Sequence, residues 1–379
     1  LYGCVFFENS ASAGGDVAAT LSTPVIFDCT LAGSQATGEG GSALALFGAS
    51  SANISNTIIA FGQGGGSVYD DGPATATMIC SDVYGNAGGN YIYFLSELNG
   101  QYGNFSLDPL FCQLDTGDLA LSECSPCADA PGCGLVGALV VGCAGRTWVV
   151  PVDVPTIAAA MDSASACDTV FVNAGTYFEQ NIVMKSGVVL RGEVQTPGSL
   201  SVVVDGQAYE QILTGADLDS TTVIENIAFA YGFITGDPGT GGAFNLTNCD
   251  VVVRNCRFEF NTADSGGAVY MSNGAPVFSD CSFVDNQAAD SGGAVVANGG
   301  AAVTFERCEF TSNQATTSAV GGAFSCYNAS TAAFHDCSFS YNSVDSDGGC
   351  MYVHSSFVSM TGCTFTNNTA GLNGGAVTG

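Results

Sequence analysis

The stretch Val277-Phe-Ser-Asp-Cys281-Ser-Phe283-Val-Asp-Asn286, with Gly292-Gly293 six residues on, decides the fold. Apolar and polar residues alternate on either side of its cysteine, the period of a β-strand, so Cys281 and Phe283 share one face. The phrase recurs in both directions as Cys256-Arg-Phe258-x-x-Asn261, Cys308-Glu-Phe310-x-x-Asn313, Cys337-Ser-Phe339-x-x-Asn342 and Cys363-Thr-Phe365-x-x-Asn368. Successive cysteines lie 25, 27, 29 and 26 residues apart. Gly-Gly pairs follow each Asn, beginning at Gly266, Gly292, Gly321, Gly348 and Gly374, and the chain itself opens Cys4-Val-Phe6-x-x-Asn9, then Gly14-Gly15.

One such strand cannot bury its apolar face. Stacked coils of about 26 residues, each adding about 4.8 Å through parallel pairing, make a continuous interior. Asn then sits at a corner where it can pair with the Asn one coil above, and Gly-Gly supplies the backbone freedom of the next corner. The expected fold is an all-β parallel β-helix.

The Gly-Gly-Ala-(Ile/Leu/Val) and Phe-x-x-Asn motifs resemble right-handed parallel β-helix repeat proteins of bacterial surfaces, of the polymorphic outer-membrane-protein type. The resemblance covers residues 241–379 and, more weakly, 1–80; it implies a right-handed solenoid of a secreted or surface protein.

Composition agrees with a β-rich core. Of 379 residues only 11% are charged, 46% are hydrophobic and 51 are glycine, which opposes both disorder and long helices. The formal net charge of -29, with 6 Lys+Arg, excludes a nucleic-acid surface, because phosphate binding needs clustered Lys and Arg. The most apolar stretch, 134–145, is too short for a membrane span. Seventeen cysteines suit an oxidising compartment, and the sequons at Asn53, Asn104, Asn245, Asn328 and Asn367 permit glycosylation there. An extracellular or cell-surface location is expected.

The parts stand in an unusual order. Pro155 at a helix start, with Ile157, Ala160 and Met161 at helical spacing, predicts one short amphipathic helix, resembling the N-terminal cap of secreted β-helices. Conversely, 104–111, 117–126 and 134–138 resemble the closing segment of such proteins. Residues 1–143 read as the C-terminal part of one β-helix, 144–240 as the cap and first coils of the next, and 241–379 as its regular coils. Two partial β-helices thus meet at a seam, and their coil edges invite pairing. The reading is a non-enzymatic structural protein, a protomer or tandem segment of an extracellular filament, with itself as head-to-tail partner.

Few bases are present to carry chemistry. Arg254, Arg257 and Arg307 alternate outward in the repeat strands and read as solvated, as do His335 and His354; Arg146, Lys185 and Arg191 complete the set. No catalytic residue and no cofactor is assigned. Asp264, Asp290, Asp345 and Asp347 recur at one point of the coil, where Ca²⁺ between coils would relieve their repulsion, hydration being the simpler account. Repeat cysteines read as a buried, inert thiol stack, and Cys124, Cys127, Cys133 and Cys143 as two local disulfides. The alternative function is a glycan-binding adhesin or a polysaccharide lyase- or hydrolase-like β-helix. It would need exposed aromatics and carboxylates on one coil face, as Tyr91, Tyr93, Phe94 and Tyr102 could supply.

Overall fold

The computed structural model describes residues 1–38, 40–92, 95–196, 199–236, 239–316 and 319–379. They form two compact units, Leu1–Gly145 and Arg146–Gly379, each a stretch of right-handed parallel β-helix.

The second unit opens with strand Thr147–Val150 and helix α1, Ile157–Ser163. Thr156 caps α1 by accepting from the Ala159 amide, and Glu179, from the next turn of chain, accepts from the Ile157 and Ala158 amides at 2.8 and 2.9 Å. All these orphan donors are satisfied, and Ile157, Ala160 and Met161 are buried in the core.

Coils then stack through four parallel sheets, numbered here in the order a coil visits them. The first has nine strands, from Thr147–Val150 to Phe357–Thr361; the second has eight, from Gly175–Phe178 to Thr364–Thr366. The third has six short strands, from Phe233–Ile234 to Thr369–Ala370, and the fourth eight, from Ile182–Val183 to Val377–Thr378.

Two aromatic columns fill the regular part. Phe258, Phe283, Phe310, Phe339 and Phe365 stack at 4.9, 4.7, 4.7 and 4.9 Å, close to the spacing that strand pairing imposes. Phe278, Phe305 and Phe334 make a parallel column that meets the first edge-on, as in Phe283–Phe305 at 77°. Stacked rings along the axis with edge contacts across it are the two favoured aromatic geometries.

Strict alternation across the cysteine does not hold. Phe278 and Cys281 both face inward although three residues apart, and the strand breaks between Ser279 and Ser282 at Asp280, whose φ is 53°. That left-handed residue is the corner that restores the phase. Asn226, Asn255, Arg307 and Asp336 adopt the same conformation one coil apart, and Asn and Asp tolerate it best among residues with a side chain. The cysteine thiol beyond the corner donates to a carbonyl of the preceding coil: Cys256 to Ile224, Cys281 to Val253, Cys308 to Phe278, Cys337 to Phe305 and Cys363 to Phe334. Burial pushes the Cys256 thiol up to about 12, so it stays protonated and donating.

The buried Asn column is continuous. Asn261, Asn286, Asn313 and Asn342 each donate to the side-chain oxygen of the Asn one coil on, ending on Asn368, at 2.9–3.0 Å. Each also donates to a Phe carbonyl of the coil before. Asn9, in the first unit, is exposed and bonds Asp16 instead.

The first unit stacks Val5–Phe7, Thr30–Ala32, Ile58–Ala60 and Asp82–Tyr84 into a parallel sheet over a core of Ile26, Leu31, Leu44, Ile54, Ile59 and Val83. After Phe105 the chain leaves the coil path. Phe111–Gln113 pairs antiparallel with Asp118–Ser122, which runs parallel to Val141–Cys143. Two disulfides are Cys80–Cys133 and Cys112–Cys143, and Cys124 and Cys167 are disulfide-bonded as well. This corrects the expectation of two bonds within the set Cys124, Cys127, Cys133 and Cys143: Cys133 and Cys143 bond cysteines outside it, Cys127 is a free buried thiol, and Cys124 is itself disulfide-bonded. No helix of the described residues is long and apolar enough to cross a membrane.

Candidate functional site

The second sheet of residues 146–379 turns its Phe column inward and a row of hydrophilic groups outward. Arg257 and Glu259 flank Phe258, Glu309 and Thr311 flank Phe310, and Ser338 and Ser340 flank Phe339. Their outward direction follows from the strand period, each neighbour of a buried residue pointing the other way.

Two corner columns border this face. On one side stand Asn226, Asn255, Asp280, Arg307 and Asp336, and beyond them the first sheet's outward row Arg191, Glu225, Arg254, Ser279, Glu306 and His335. On the other side stand Tyr231, Phe260, Asp285, Ser312 and Tyr341, each at a left-handed corner with φ between 53° and 57°. Tyr231 and Phe260 stack at 5.3 Å and 13° while 45% and 43% exposed. An aromatic pair stacked in water, at a corner where the next two coils carry Asp285 and Ser312, presents a flat apolar platform.

Charge on the strip is arranged in alternating signs. Glu225, nearly buried, is held by the guanidinium groups of both Arg191 and Arg254. Arg257 pairs with Glu259 at 2.7 Å, and Arg307 grips Asp280 through two bonds of 2.7 Å. The Arg307 bonds hold the Asp280 carboxyl below the usual carboxylate range. Four of the six Lys and Arg of the chain lie on this one strip. Bidentate and charge-assisted donors of this kind recognise hydroxyl and carboxylate groups, and the platform beside them suits the apolar face of a sugar ring.

The other residues singled out in the sequence lie elsewhere. Arg146 sits over the Trp148 ring at 3.5 Å, and Lys185 donates to the Asp162 and Ala164 carbonyls. His335 lies opposite Glu306 in the strip, whereas His354 is on the fourth sheet's side beside Tyr352. Asp264 accepts from the Gly236 amide and Asp347 from Asn373; Asp290 and Asp345 are exposed. Among the described residues no three His, Cys, Asp or Glu side chains converge as metal ligands. Of the aromatics expected to line a groove, Tyr91 is turned inward with its hydroxyl donating to the Ser81 and Phe105 carbonyls, and Tyr102 stands 71% exposed. Tyr93 and Phe94 lie outside the described residues. Of the sequons, Asn53, Asn328 and Asn367 are exposed, Asn245 is partly covered, and Asn104 is 3% exposed with its amide bonded to the Met78 carbonyl.

Tyr231, Phe260 and Tyr341 were the residues missed. Phe260 and Tyr341 occupy the second unspecified place of Phe-x-x-Asn, in Phe258-Glu-Phe260-Asn261 and Phe339-Ser-Tyr341-Asn342, and Tyr231 the same place in Phe229-Ala-Tyr231-Gly232, where Gly replaces Asn. An aromatic in that place is the signal: two residues after a core Phe the strand period alone would turn it inward, and the left-handed corner there turns it out to solvent instead.

Residues 213–378 match the family described as right handed beta helix region. No curated protein matches the chain. Among solved structures, the pectin methylesterase from Aspergillus niger in deglycosylated form is similar at 15% identity with a TM-score of 0.36, over 62% of this chain and 86% of that one. Its penultimately deglycosylated form matches at 15% identity and a TM-score of 0.36, over 63% and 86%. These solved chains are enzymes, and on that finding the expectation of a non-enzymatic protein is corrected.

Proposed function

We propose that this protein acts on a polysaccharide outside the cell, binding it along the outer face of the second sheet of residues 146–379. The observation that carries the reading is the exposed Tyr231–Phe260 stack at one border of the second sheet, next to the Arg257–Glu259 pair, with the Arg191–Glu225–Arg254 bridge on the first sheet beyond the opposite border. Sugar rings stack on such platforms through their apolar faces, and the flanking ion pairs offer donors and acceptors to the ring substituents. The disulfides support an oxidising, extracellular setting.

Affinity electrophoresis through gels containing pectin, polygalacturonate or a neutral glucan tests the binding. At least one polysaccharide is expected to retard the protein, and the paired change Tyr231→Ala with Phe260→Ala to weaken retardation by about tenfold or more, the loss of one to two aromatic stacking contacts. Retardation untouched by the pair, or no retardation in any gel, contradicts the assignment.

A further inference from the structure

The closing segment of the first unit covers a face that its counterpart in the second unit leaves open. In the sheet of Val5–Phe7, Thr30–Ala32, Ile58–Ala60 and Asp82–Tyr84, the outward row is Val5, Thr30, Ile58 and Asp82. Val5 follows Cys4 as Arg257 follows Cys256, so this row corresponds to the row of Arg257, Ser282 and Glu309, exposed at Arg257 and Glu309 and half-buried at Ser282. Yet Thr30, Ile58 and Asp82 are buried, at 1% exposure or less. They are buried by the strap of residues 105–138: Cys127, Ala130 and Val136 pack with Ile58 and Ala60, the Ala138 amide donates to Thr30 Oγ1, and Asn56 Nδ2 donates to the Leu135 carbonyl.

Asp82 is where the strap and the sheet meet most closely. The Leu107 amide donates to its Oδ1 at 3.1 Å and the Cys127 thiol to its Oδ2 at 3.4 Å. The ionisable groups that face it are Asp108 and Cys127 on the strap, Tyr84 on its own strand and Tyr91 on the preceding loop. All are acids, and no ion pair of the described residues includes Asp82. A fully enclosed carboxylate without a cation is costly, whereas the neutral acid is not.

We propose that residues 105–138 form a pH-gated cover over the outer face of this sheet, closed while Asp82 is protonated and loosened when it ionises. Burial pushes Asp82 up to about 7, with Asp108 adding to the rise against the bonds donated by Leu107 and Cys127. In the loosened strap the carboxyl returns to its ordinary acidity, near 3.8. The raised group therefore favours closure at low pH; that contribution is lost progressively as pH climbs from about 4 to about 7, and stays lost above. The Cys80–Cys133 and Cys112–Cys143 bonds limit the movement to a loosening.

Hydrogen exchange of the full chain, corrected for intrinsic amide chemistry, tests this. Opening across 105–138 is expected to rise by up to about tenfold per pH unit between about pH 4 and about pH 7 and then level off, while 252–366 shows no such rise. Asp82→Asn should flatten the profile. A flat wild-type profile, or the same slope in Asp82→Asn, overturns the proposal. If Asp82→Asn does not fold, Cys127→Ala serves: loss of the thiol donor should move the upper end of the window to higher pH, and an unmoved upper end overturns it.

Discussion

At the scale of single residues, the helix is held by side chains that do what backbone alone cannot. Asn313 is fully buried; its amide donates to the Phe283 carbonyl and to Asn342, while its oxygen accepts from the Asn286 backbone and side-chain amides. Asn313→Ala is expected to orphan donors and acceptors on two neighbouring coils and cost about 3 kcal/mol or more. Chemical denaturation of the full chain measures this, and a loss below about 1 kcal/mol would mean that water replaces the ladder. The identity of the ladder residue was legible, because an Asn at constant offset from a core Phe, coil after coil, is placed to bond its own kind along the axis. The left-handed corner at Asp280 was not legible from alternation; the misplaced phase between Phe278 and Cys281 was its only trace.

At the scale of elements, the Gly-Gly pairs inside the stack have two distinct reasons. The first glycine takes positive φ, 57° at Gly292 and 67° at Gly321. The second is required by contact: a Cβ at Gly322 would lie 2.1 Å from the Gly349 carbonyl oxygen, and one at Gly293 would lie 2.1 Å from that of Gly322. Sequence reading supplied the first reason only, since close approach of one coil to the next exists only once coils stack. Gly322→Ala should therefore lower stability by about 3 kcal/mol, whereas Gly299→Ala, with positive φ but no atom nearer than 3.8 Å, should cost about 1 kcal/mol. Equal melting losses in the two variants would contradict the contact argument. Helix α1 was foreseen from Pro155 and the spacing of Ile157, Ala160 and Met161, but its cap by Glu179 was not, because two strands lie between the helix and that residue. Disulfide connectivity was likewise hidden, since Cys80 and Cys112 lie far from their partners in sequence and spacing alone does not order pairs.

At the scale of the whole molecule, a chain of net charge -29 places four of its six Lys and Arg on the adjoining first and second sheets and the corner between them. A random scatter of so few cations would relieve repulsion evenly; their gathering beside an exposed aromatic stack marks a surface with a use. Composition could exclude nucleic acid but could not reveal the strip, because residues 63 apart, Arg191 and Arg254, meet only on Glu225 between them. The most direct measurement of the central claim is product analysis after incubating the native protein with pectin, polygalacturonate and neutral glucans, following released methyl groups, new reducing ends and unsaturated uronate. The account predicts a product from at least one polysaccharide, diminished about tenfold or more in the Tyr231→Ala, Phe260→Ala protein; recovery of every polysaccharide unchanged and unbound would contradict it.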